Sequence, residues 1–337
     1  MNVLLTSAGR RSYLVEYFRK ALDGKGLVVT TNSVKNAPSA YVSDKFFLVE
    51  ESSAENYINT ILKICTENNI EILCSLHDLD SFILSKHQDL FDELGIKTTL
   101  PSKYWGRLSL DKYECNKLLR EEGLSVPWSS VSLEETFQCI NKNEVKFPLI
   151  CKARAGFGSL GLKVCYSKSE LSAFHKSISQ ELMKDNSSNF IDLPPNELVV
   201  IEEFIEGQEF CVGIVNDFEG KYKSHFLCEI HGMRAGESDS ATSRNPMLVD
   251  SLAKTFSSLT RHKGIWGVDC IERNGEFFII DVNPRFTGDY PFHHLAGADI
   301  PKALLYWADG KSAPEECFDF NVDMLGYKDL VPTLVRG

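Results

Sequence analysis

Residues 267–286 read GVDCIERNGEFFIIDVNPRF and are the most informative part of the sequence. Two segments rich in β-branched and aromatic residues flank Asn274-Gly275, the dipeptide most typical of a two-residue hairpin turn. The segments therefore predict two antiparallel strands, on which Asp269 and Asp281 can face each other. Asn283 lies two residues after Asp281 and shares its face of the sheet, because side chains alternate along a strand.

An ordinary hairpin with solvated acidic residues is the simplest explanation of this pattern. Two carboxylates and a carboxamide on one sheet face are costly, however, unless a cation satisfies them. Oxygen-only ligands suit Mg2+, which keeps waters and substrate phosphates in its other positions, and Mn2+ is the alternative. The pattern therefore favours a metal site formed by Asp269, Asp281 and Asn283. Arg285, just beyond it, is suited to neutralise charge on a transferred phosphoryl group.

A second segment, Phe147–Leu162, combines a predicted strand with a glycine-rich loop. The strand delivers Lys152 next to the loop, whose backbone N–H groups can approach phosphate oxygens, and the lysine adds a point charge. The loop contains Gly156, Gly158, Ser159 and Gly161. It matches neither the Walker A pattern nor GxGxxG, so on its own a tight hairpin with an incidental lysine explains it equally well.

A third segment, residues 199–210, reads VVIEEFIEGQEF. On a strand, Glu202 and Phe204 share one side of the sheet. The backbone of Glu203–Ile205 could hydrogen-bond an adenine edge, and Glu209 could accept hydrogen bonds from ribose hydroxyls. Taken alone, the segment is better explained as an edge strand with solvated acidic residues.

The rest of the chain alternates predicted strands and helices. Asn2–Thr6 is a short apolar strand, and helices and further strands follow it to about residue 108, which predicts a parallel sheet covered on both faces. Beyond Asp185–Asn196, a polar segment interpreted as a loop, a strand-rich run over 198–282 contains a helix at Pro246–His262. The predicted fold class is α/β with an α+β part.

The composition is that of a globular protein with no signal for membrane insertion or export. Lys and Arg total 36 and Asp and Glu total 47 in 337 residues, a net charge of −11 that disfavours a nucleic-acid partner. No apolar run approaches the ~18 residues of a membrane span, so no membrane contact is expected, and no signal peptide is visible. The ten cysteines form no CxxC pair, which indicates reduced thiols and a cytoplasmic location.

The order of these segments along the chain resembles that of the ATP-grasp superfamily. Asp111-Lys112 comes first, followed by Lys152 with its glycine loop, the segment ending at Glu209, and the hairpin with Asp281. Within the superfamily, the sequence looks like that of the carbamoyl-phosphate synthase large subunit, a carboxylate–amine ligase type. The resemblance implies an ATP-grasp fold preceded by a Rossmann-like parallel-sheet domain. The implied divisions are a pre-ATP-grasp domain at 1–108, an ATP-grasp domain at 109–315 with a lid at about 125–197 and a central sheet at about 198–310, and a C-terminal tail at 316–337.

The resemblance also implies roles for the residues that match its motifs. Lys112 and Lys152 would contact the nucleotide phosphates, and the loop with Gly156, Gly158 and Ser159 would be a mobile lid. Adenine would lie against Glu202, Glu203, Phe204 and Ile205, ribose against Glu209, and Mg2+ against Asp269, Asp281 and Asn283, with Lys152 and Arg285 as the catalytic residues. Two positions depart from the pattern: Asp281 stands where such proteins usually have Glu, and Glu203 where they often have Lys.

The activity implied is that of an ADP-forming ligase, which uses ATP and Mg2+ to activate a small-molecule carboxylate as an acyl phosphate for attack by an amine. Two alternatives stay open. One is a carboxylate or carbamate kinase-like activity, and the other is an ATP-binding regulatory protein without turnover. The presence of the complete set Asp269, Asp281, Asn283 and Arg285 argues against the second, because a binding module does not need it.

The substrate residues are harder to place. Residues 231–245 show no apolar period and are predicted to form an irregular loop, in which Arg234 and Arg244 could grip a substrate carboxylate bidentately. A solvated surface loop explains them equally well. Arg10 lies in the turn after the first strand, at the edge where ligands bind parallel sheets. The sequence leaves the oligomeric state open, with a homodimer among the alternatives.

Overall fold

The structure is a computed structural model that describes residues 1–156, 161–184, 190–234 and 237–330. Its strands are β1 Asn2–Thr6, β2 Val28–Asn32, β3 Lys45–Leu48, β4 Ile70–Ser75, β5 Lys97–Thr98, β6 Ser129–Ser130, β7 Leu149–Ala153, β8 Lys163–Cys165, β9 Val199–Glu203, β10 Gln208–Asn216, β11 Tyr222–Arg234, β12 Glu237–Arg244, β13 Gly264–Arg273, β14 Glu276–Asn283 and β15 Leu325–Tyr327. Its helices are α1 Ser12–Leu22, α2 Tyr57–Glu67, α3 Asp78–Ser85, α4 Gln88–Glu93, α5 Lys103–Leu108, α6 Lys112–Glu121, α7 Leu133–Asn141, α8 Lys168–Lys184, α9 Asp250–Thr260, α10 Tyr290–Leu295 and α11 Ile300–Ala308. No helix of these described residues is long and apolar enough to cross a membrane.

The strands form three sheets. The five-stranded sheet has the order β3-β2-β1-β4-β5 and is parallel throughout, as the alternation of strands and helices in the N-terminal part predicts. The four-stranded sheet β6-β9-β7-β8 is antiparallel. The six-stranded sheet has the order β14-β13-β10-β11-β12-β15. This mixed architecture confirms the predicted α/β fold class.

The described chain forms two compact units, and each is considered by itself. The first unit comprises Met1–Gly106, Cys211–Val268 and Asn283–Gly337, and the second comprises Arg107–Phe210 and Asp269–Val282. In the first unit, α1 buries Leu14 and Phe18, one helical turn apart, against the parallel sheet. Each such large apolar side chain stabilises the fold by about 1.5–3 kcal/mol. The domain divisions at residues 108 and 315 stay predictions.

Residues 231–245, predicted as an irregular loop, instead form much of a β-hairpin, so that prediction was wrong. Strand β11 extends to Arg234 and pairs antiparallel with β12, with Ile230 opposite Ala241 and Arg234 opposite Glu237. Residues 235–236 lie outside the described part. The sequence of β12, ESDSATSR, does not indicate a strand because three of its four buried side chains, those of Ser238, Thr242 and Ser243, are small and polar. Hydrogen bonds satisfy them, as Ser243 Oγ shows by donating to Asn321 O at 2.7 Å.

A buried histidine makes the first unit sensitive to acid. His262 is 3% exposed, and its ring centroid lies 5.0 Å from that of Trp266. Burial lowers the pKa of His262 to about 3. In the unfolded chain the imidazole has its ordinary pKa near 6.5. Between pH ~6.5 and pH ~3 the unfolded chain therefore binds a proton at His262 that the folded chain does not. Stability that is present above pH ~6.5 is then lost as the pH falls toward 3.

At pH ~5 the loss from His262 is expected to reach about 2 kcal/mol of unfolding free energy. Urea unfolding at neutral pH and near pH 5 measures it, and His262→Gln should reduce the difference between the two conditions by that amount. His87→Gln, which removes a partly exposed histidine of the same unit, is the control. An unchanged pH dependence in His262→Gln would contradict the assignment.

Candidate active site

A buried ion pair fixes Lys152 in the second unit. Strands β7 and β9 pair antiparallel with Ile150 opposite Glu202, which makes Lys152 a diagonal neighbour of Glu202 on the same face. Lys152 Nζ lies 2.6 Å from Glu202 Oε2, and the two side chains are 9% and 2% exposed. Asn116 Nδ2 donates to Glu202 Oε1 at 3.2 Å. Glu202, expected at the adenine, thus serves as the buried counter-charge of Lys152.

Lys112 brings together two other predicted site residues of the same unit. Asp111 caps helix α6 by accepting from Glu114 N, so Lys112 is the first residue of the helix. Lys112 Nζ lies 3.0 Å from Gly156 O, at the start of the glycine loop, and 3.3 Å from Asp281 Oδ1 on β14. The predicted phosphate lysine, the start of the predicted lid and a predicted metal carboxylate are therefore in direct contact.

Arg154 holds this arrangement in place, and no motif of the sequence pointed to it. Its Nε and Nη2 atoms donate to the two carboxylate oxygens of Asp111 at 2.8 and 2.9 Å, and its Nη1 atom donates to Glu197 at 2.7 Å. The backbone N–H of Lys112 donates to Arg154 O at 3.1 Å. Burial opposes the charge, but Asp111 and Glu197 raise the pKa of the Arg154 guanidinium overall. The signal in the sequence was an arginine two residues after Lys152.

The predicted adenine segment is partly engaged within its own unit. The N–H of Glu203 donates to Trp128 O at 2.8 Å and that of Phe204 to Pro148 O at 3.4 Å. The Glu203 carboxylate forms an ion pair with the guanidinium of Arg273 on β13, at 3.1 Å. A contact with adenine from this segment would therefore use its carbonyl groups and the backbone of buried Ile205. Glu209, the predicted ribose residue, is half-buried on β10.

The remaining nucleotide and metal predictions can be placed only in part. Gly158 and Ser159 lie outside the described residues. Asp269 lies on β13 and Asp281 on β14, which are neighbouring strands, and Asn283 ends β14. The turn between the strands is at Asn274-Gly275, with φ of 57° and 84°, as the dipeptide predicts.

In the first unit, Arg285 is held by an acid at the start of helix α3. Its Nε and Nη2 atoms donate to the two oxygens of Asp78 at 2.7 and 2.6 Å, and Nη2 also donates to Asn283 Oδ1 at 3.1 Å. Asp78 begins helix α3, directly after strand β4. Burial alone would raise the pKa of Asp78, but Arg285 lowers it below its ordinary value. The guanidinium is therefore fixed in orientation.

The three arginines predicted to bind substrate lie in different surroundings. Arg234 Nη2 pairs with Asp239 at 2.7 Å on the β11–β12 hairpin. Arg244 pairs with Glu229 and Asp323, both at 2.6 Å. Arg10 is exposed, whereas its neighbour Arg11 is turned into the unit, with its side chain 14% exposed.

Comparison with known families identifies the class of protein. Residues 109–289 match the family described as ATP-grasp domain, which is more than half of the chain. Residues 3–99 match the family described as PylC-like, N-terminal domain. The chain belongs to the ATP-grasp family. The predicted fold and the predicted class, an ATP-grasp ligase, are confirmed.

Individual relatives are distant. The chain is 22% identical over 242 residues to D-alanine–D-alanine ligase A of Bacillus cereus, covering 66% of this chain and 76% of that protein. The biotin carboxylase–ATP complex from Campylobacter jejuni superimposes with a TM-score of 0.72 at 16% identity over 95% of this chain and 73% of that one. The MgADP-bound biotin carboxylase domain of Hydrogenobacter thermophilus gives 0.71 at 17% identity, with 96% and 73% covered. Other curated relatives are matched over about half of their length or less: 51% of a D-alanine–D-alanine ligase of Bacillus anthracis, and 29% of the longer pyruvate carboxylase of Staphylococcus aureus.

Proposed function

We propose that the protein is an ATP-dependent, ADP-forming ligase that activates a carboxylate as an acyl phosphate for attack by an amine. The observation that carries the proposal is the contact of Lys112 with both Gly156 and Asp281. A lysine placed between a glycine loop and a carboxylate suits a triphosphate, because phosphoryl transfer depends mainly on positioning and on neutralising charge. Membership of the ATP-grasp family supports the use of ATP.

The reaction balances without a residue that forms a covalent intermediate. A carboxylate oxygen of the substrate attacks the γ-phosphorus, the bond between that phosphorus and the β,γ-bridging oxygen breaks, and ADP leaves. The amine nitrogen then attacks the acyl carbon, the bond to phosphate breaks, and the amine loses a proton. Lys112 and Lys152 bind and orient the phosphates, and Arg285 neutralises the charge of the transferred group.

The predicted metal ligands have the chemistry that Mg2+ requires. Asp269 and Asp281 offer carboxylate oxygens from neighbouring strands, and Asn283 offers an amide oxygen two residues after Asp281. The Asp281 side chain is 32% exposed and its ion pair with Lys112 spans 3.3 Å, so lone pairs of this carboxylate stay available. We therefore assign these three residues to Mg2+, which when bound supplies charge neutralisation on the phosphates.

Release of ADP and phosphate should depend on the presence of both a carboxylate and an amine. A screen of amino acids in pairs, with coupled detection of ADP and mass detection of the product, measures this dependence. Release that needs only the carboxylate would indicate a kinase-like activity, and nucleotide binding without release would indicate a regulatory protein. Formation of AMP and pyrophosphate would contradict the acyl-phosphate mechanism.

The cellular setting follows from the thiols. All ten cysteines are free, and all but Cys139 are buried. Burial raises the pKa of several of these thiols, to about 12 for Cys65 and Cys74, which keeps them protonated and unreactive. We infer a reducing compartment, in agreement with the predicted cytoplasmic location.

A further inference from the structure

The turn after strand β1 carries Arg11 into the first unit. Ser7 and Gly9 take left-handed backbone conformations there, with φ of 51° and 52°, and the chain then enters α1. The Arg11 guanidinium donates through Nη1 to the carbonyl of Leu76, and its Nη2 lies 3.4 Å from Glu237 Oε1. Arg11 therefore lies against a carboxylate of strand β12.

Lys328 approaches the same carboxylate from the C-terminal segment. Strand β15 pairs antiparallel with β12, and Lys328 follows directly after it. Its Nζ lies 3.6 Å from Glu237 Oε2. The ammonium also lies over the rings of Tyr13 and Phe292, at 5.8 and 5.6 Å from their centroids. Together, Arg11, Tyr13, Glu237 and Lys328 form the Arg11–Lys328 cluster.

Three donors of the cluster have no hydrogen-bond acceptor within the described parts of the chain. They are Arg11 Nε, the Tyr13 hydroxyl and Lys328 Nζ, and each of these atoms is shielded from solvent. The 3.6 Å between Lys328 and Glu237 is too long for a good hydrogen bond. Buried donors are normally satisfied. Three such donors in one cluster therefore indicate an acceptor that the described residues do not supply.

Two acids beside the cluster have partners of their own and do not fill this role. Asp78 accepts two hydrogen bonds from Arg285. Asp289 accepts a hydrogen bond from Ser238. Neither carboxylate is in hydrogen-bond contact with the three donors, since these atoms have no acceptor among the residues that the structure describes. The cluster is thus an incomplete polar site and not part of a closed salt-bridge network.

The charges within the cluster specify the kind of acceptor. Two cations share one carboxylate, so the cluster carries one net positive charge. Burial lowers the pKa values of Arg11 and Lys328, as expected for cations without a full counter-charge. A monoanion with two acceptor oxygens balances the charge and satisfies the donors. A phosphate dianion fits less well, because Glu237 would repel it.

We propose that the Arg11–Lys328 cluster binds a carboxylate group of a substrate, and that Lys328 makes this carboxylate a requirement for recognition. The inference rests on the proposed function, since it names a group that a ligase substrate carries. Arg11 Nε and the Tyr13 hydroxyl donate to the carboxylate oxygens, and Lys328 supplies the second charge. The C-terminal segment thereby becomes part of the substrate site.

The first test needs no substrate identity and no ATP. Thermal unfolding of the full chain is followed in sodium acetate, glycine, glycinamide and inorganic phosphate, each compared with sodium chloride at equal ionic strength. Acetate and glycine should raise the melting temperature above the chloride value, and glycinamide should not. A rise that is larger with phosphate than with acetate, and that is lost in Lys328→Met, would overturn the choice of a carboxylate.

Variants then locate the effect. Lys328→Met and Arg11→Met should abolish the stabilisation by acetate, and Tyr13→Phe should weaken it. Without any anion, Lys328→Met should melt at the same temperature as the natural chain or higher, because it removes a buried, unsatisfied cation. Lys25→Met, which removes an 80% exposed lysine of the same unit, is the control and should respond to acetate as the natural chain does.

A purely structural role for Lys328 gives the opposite result. Lys328→Met would then lower the melting temperature without anion, and acetate would act alike on the variant and the natural chain. In the ligase assay, Lys328→Met should raise KM for the carboxylate-bearing substrate about tenfold or more and leave KM for ATP nearly unchanged. If ADP is released but acetate has no effect, the carboxylate site is wrong and the proposed function stands. If acetate stabilises the protein but no ADP is released, the proposed function is wrong and the carboxylate site stands.

Discussion

The double variant Asp281→Asn/Asn283→Ala is expected to release ADP at least about 100-fold more slowly than the natural chain. The two side chains lie on one strand and are assigned to Mg2+, so their loss removes charge stabilisation of the transferred phosphoryl group. The fold should persist, because the Asp281 side chain is 32% exposed and its ion pair with Lys112, which is 12% exposed, is long at 3.3 Å. Initial rates of ADP release and a urea unfolding curve for each variant measure the two effects separately.

Two further variants make this result specific to the carboxylate. Asp281→Glu keeps the charge and restores the residue that ATP-grasp proteins usually carry there, so most of the activity should remain. Glu276→Gln changes an exposed acid at the start of the same strand and should leave the rate unchanged. A folded double variant that kept the rate to within about tenfold would contradict the metal assignment.

The parts of the fold that were best predicted from the sequence are those whose buried side chains are apolar. Strand β1 runs over the predicted Asn2–Thr6, because its apolar residues lie in the sheet core. The hairpin of β13 and β14 was likewise readable from Asn274-Gly275 and its apolar flanks. Strand β12 was not, because three of its four buried residues are small and polar. Strand β15 lies within the predicted C-terminal tail and pairs with β12 through backbone hydrogen bonds. Backbone pairing does not require particular side chains, so the sequence of β15 does not indicate a strand.

The same distinction applies to the site. Lys152 and Asp281 could be singled out because each stands in a recognisable local pattern, and Lys112 followed from the family resemblance. Their partners could not, because the contacts join residues that are distant along the chain. Arg285 and Asp78 are separated by 207 positions, and only the fold brings them together. Arg11 was overlooked in favour of exposed Arg10, since a pair of adjacent arginines does not indicate which of the two is buried.

Lys152→Met is expected to weaken ATP binding roughly 10–100-fold, which corresponds to the loss of a hydrogen bond to a charged group. It should also cost about 3–5 kcal/mol of unfolding free energy, because Glu202 is left buried and charged without its partner. A loss of affinity in this variant alone would thus be ambiguous. Isothermal titration calorimetry with ATP and urea unfolding are both needed.

The double variant Lys152→Met/Glu202→Gln separates the two effects, because it removes both charges of the buried pair. Stability should recover in large part, since an amide can keep the hydrogen bond from Asn116. ATP affinity should stay low if Lys152 binds phosphate. Lys163→Met, which changes an exposed lysine on β8, should alter neither quantity. Natural ATP affinity in a stable double variant would mean that Lys152 only balances Glu202, and its assignment to the nucleotide would then be wrong.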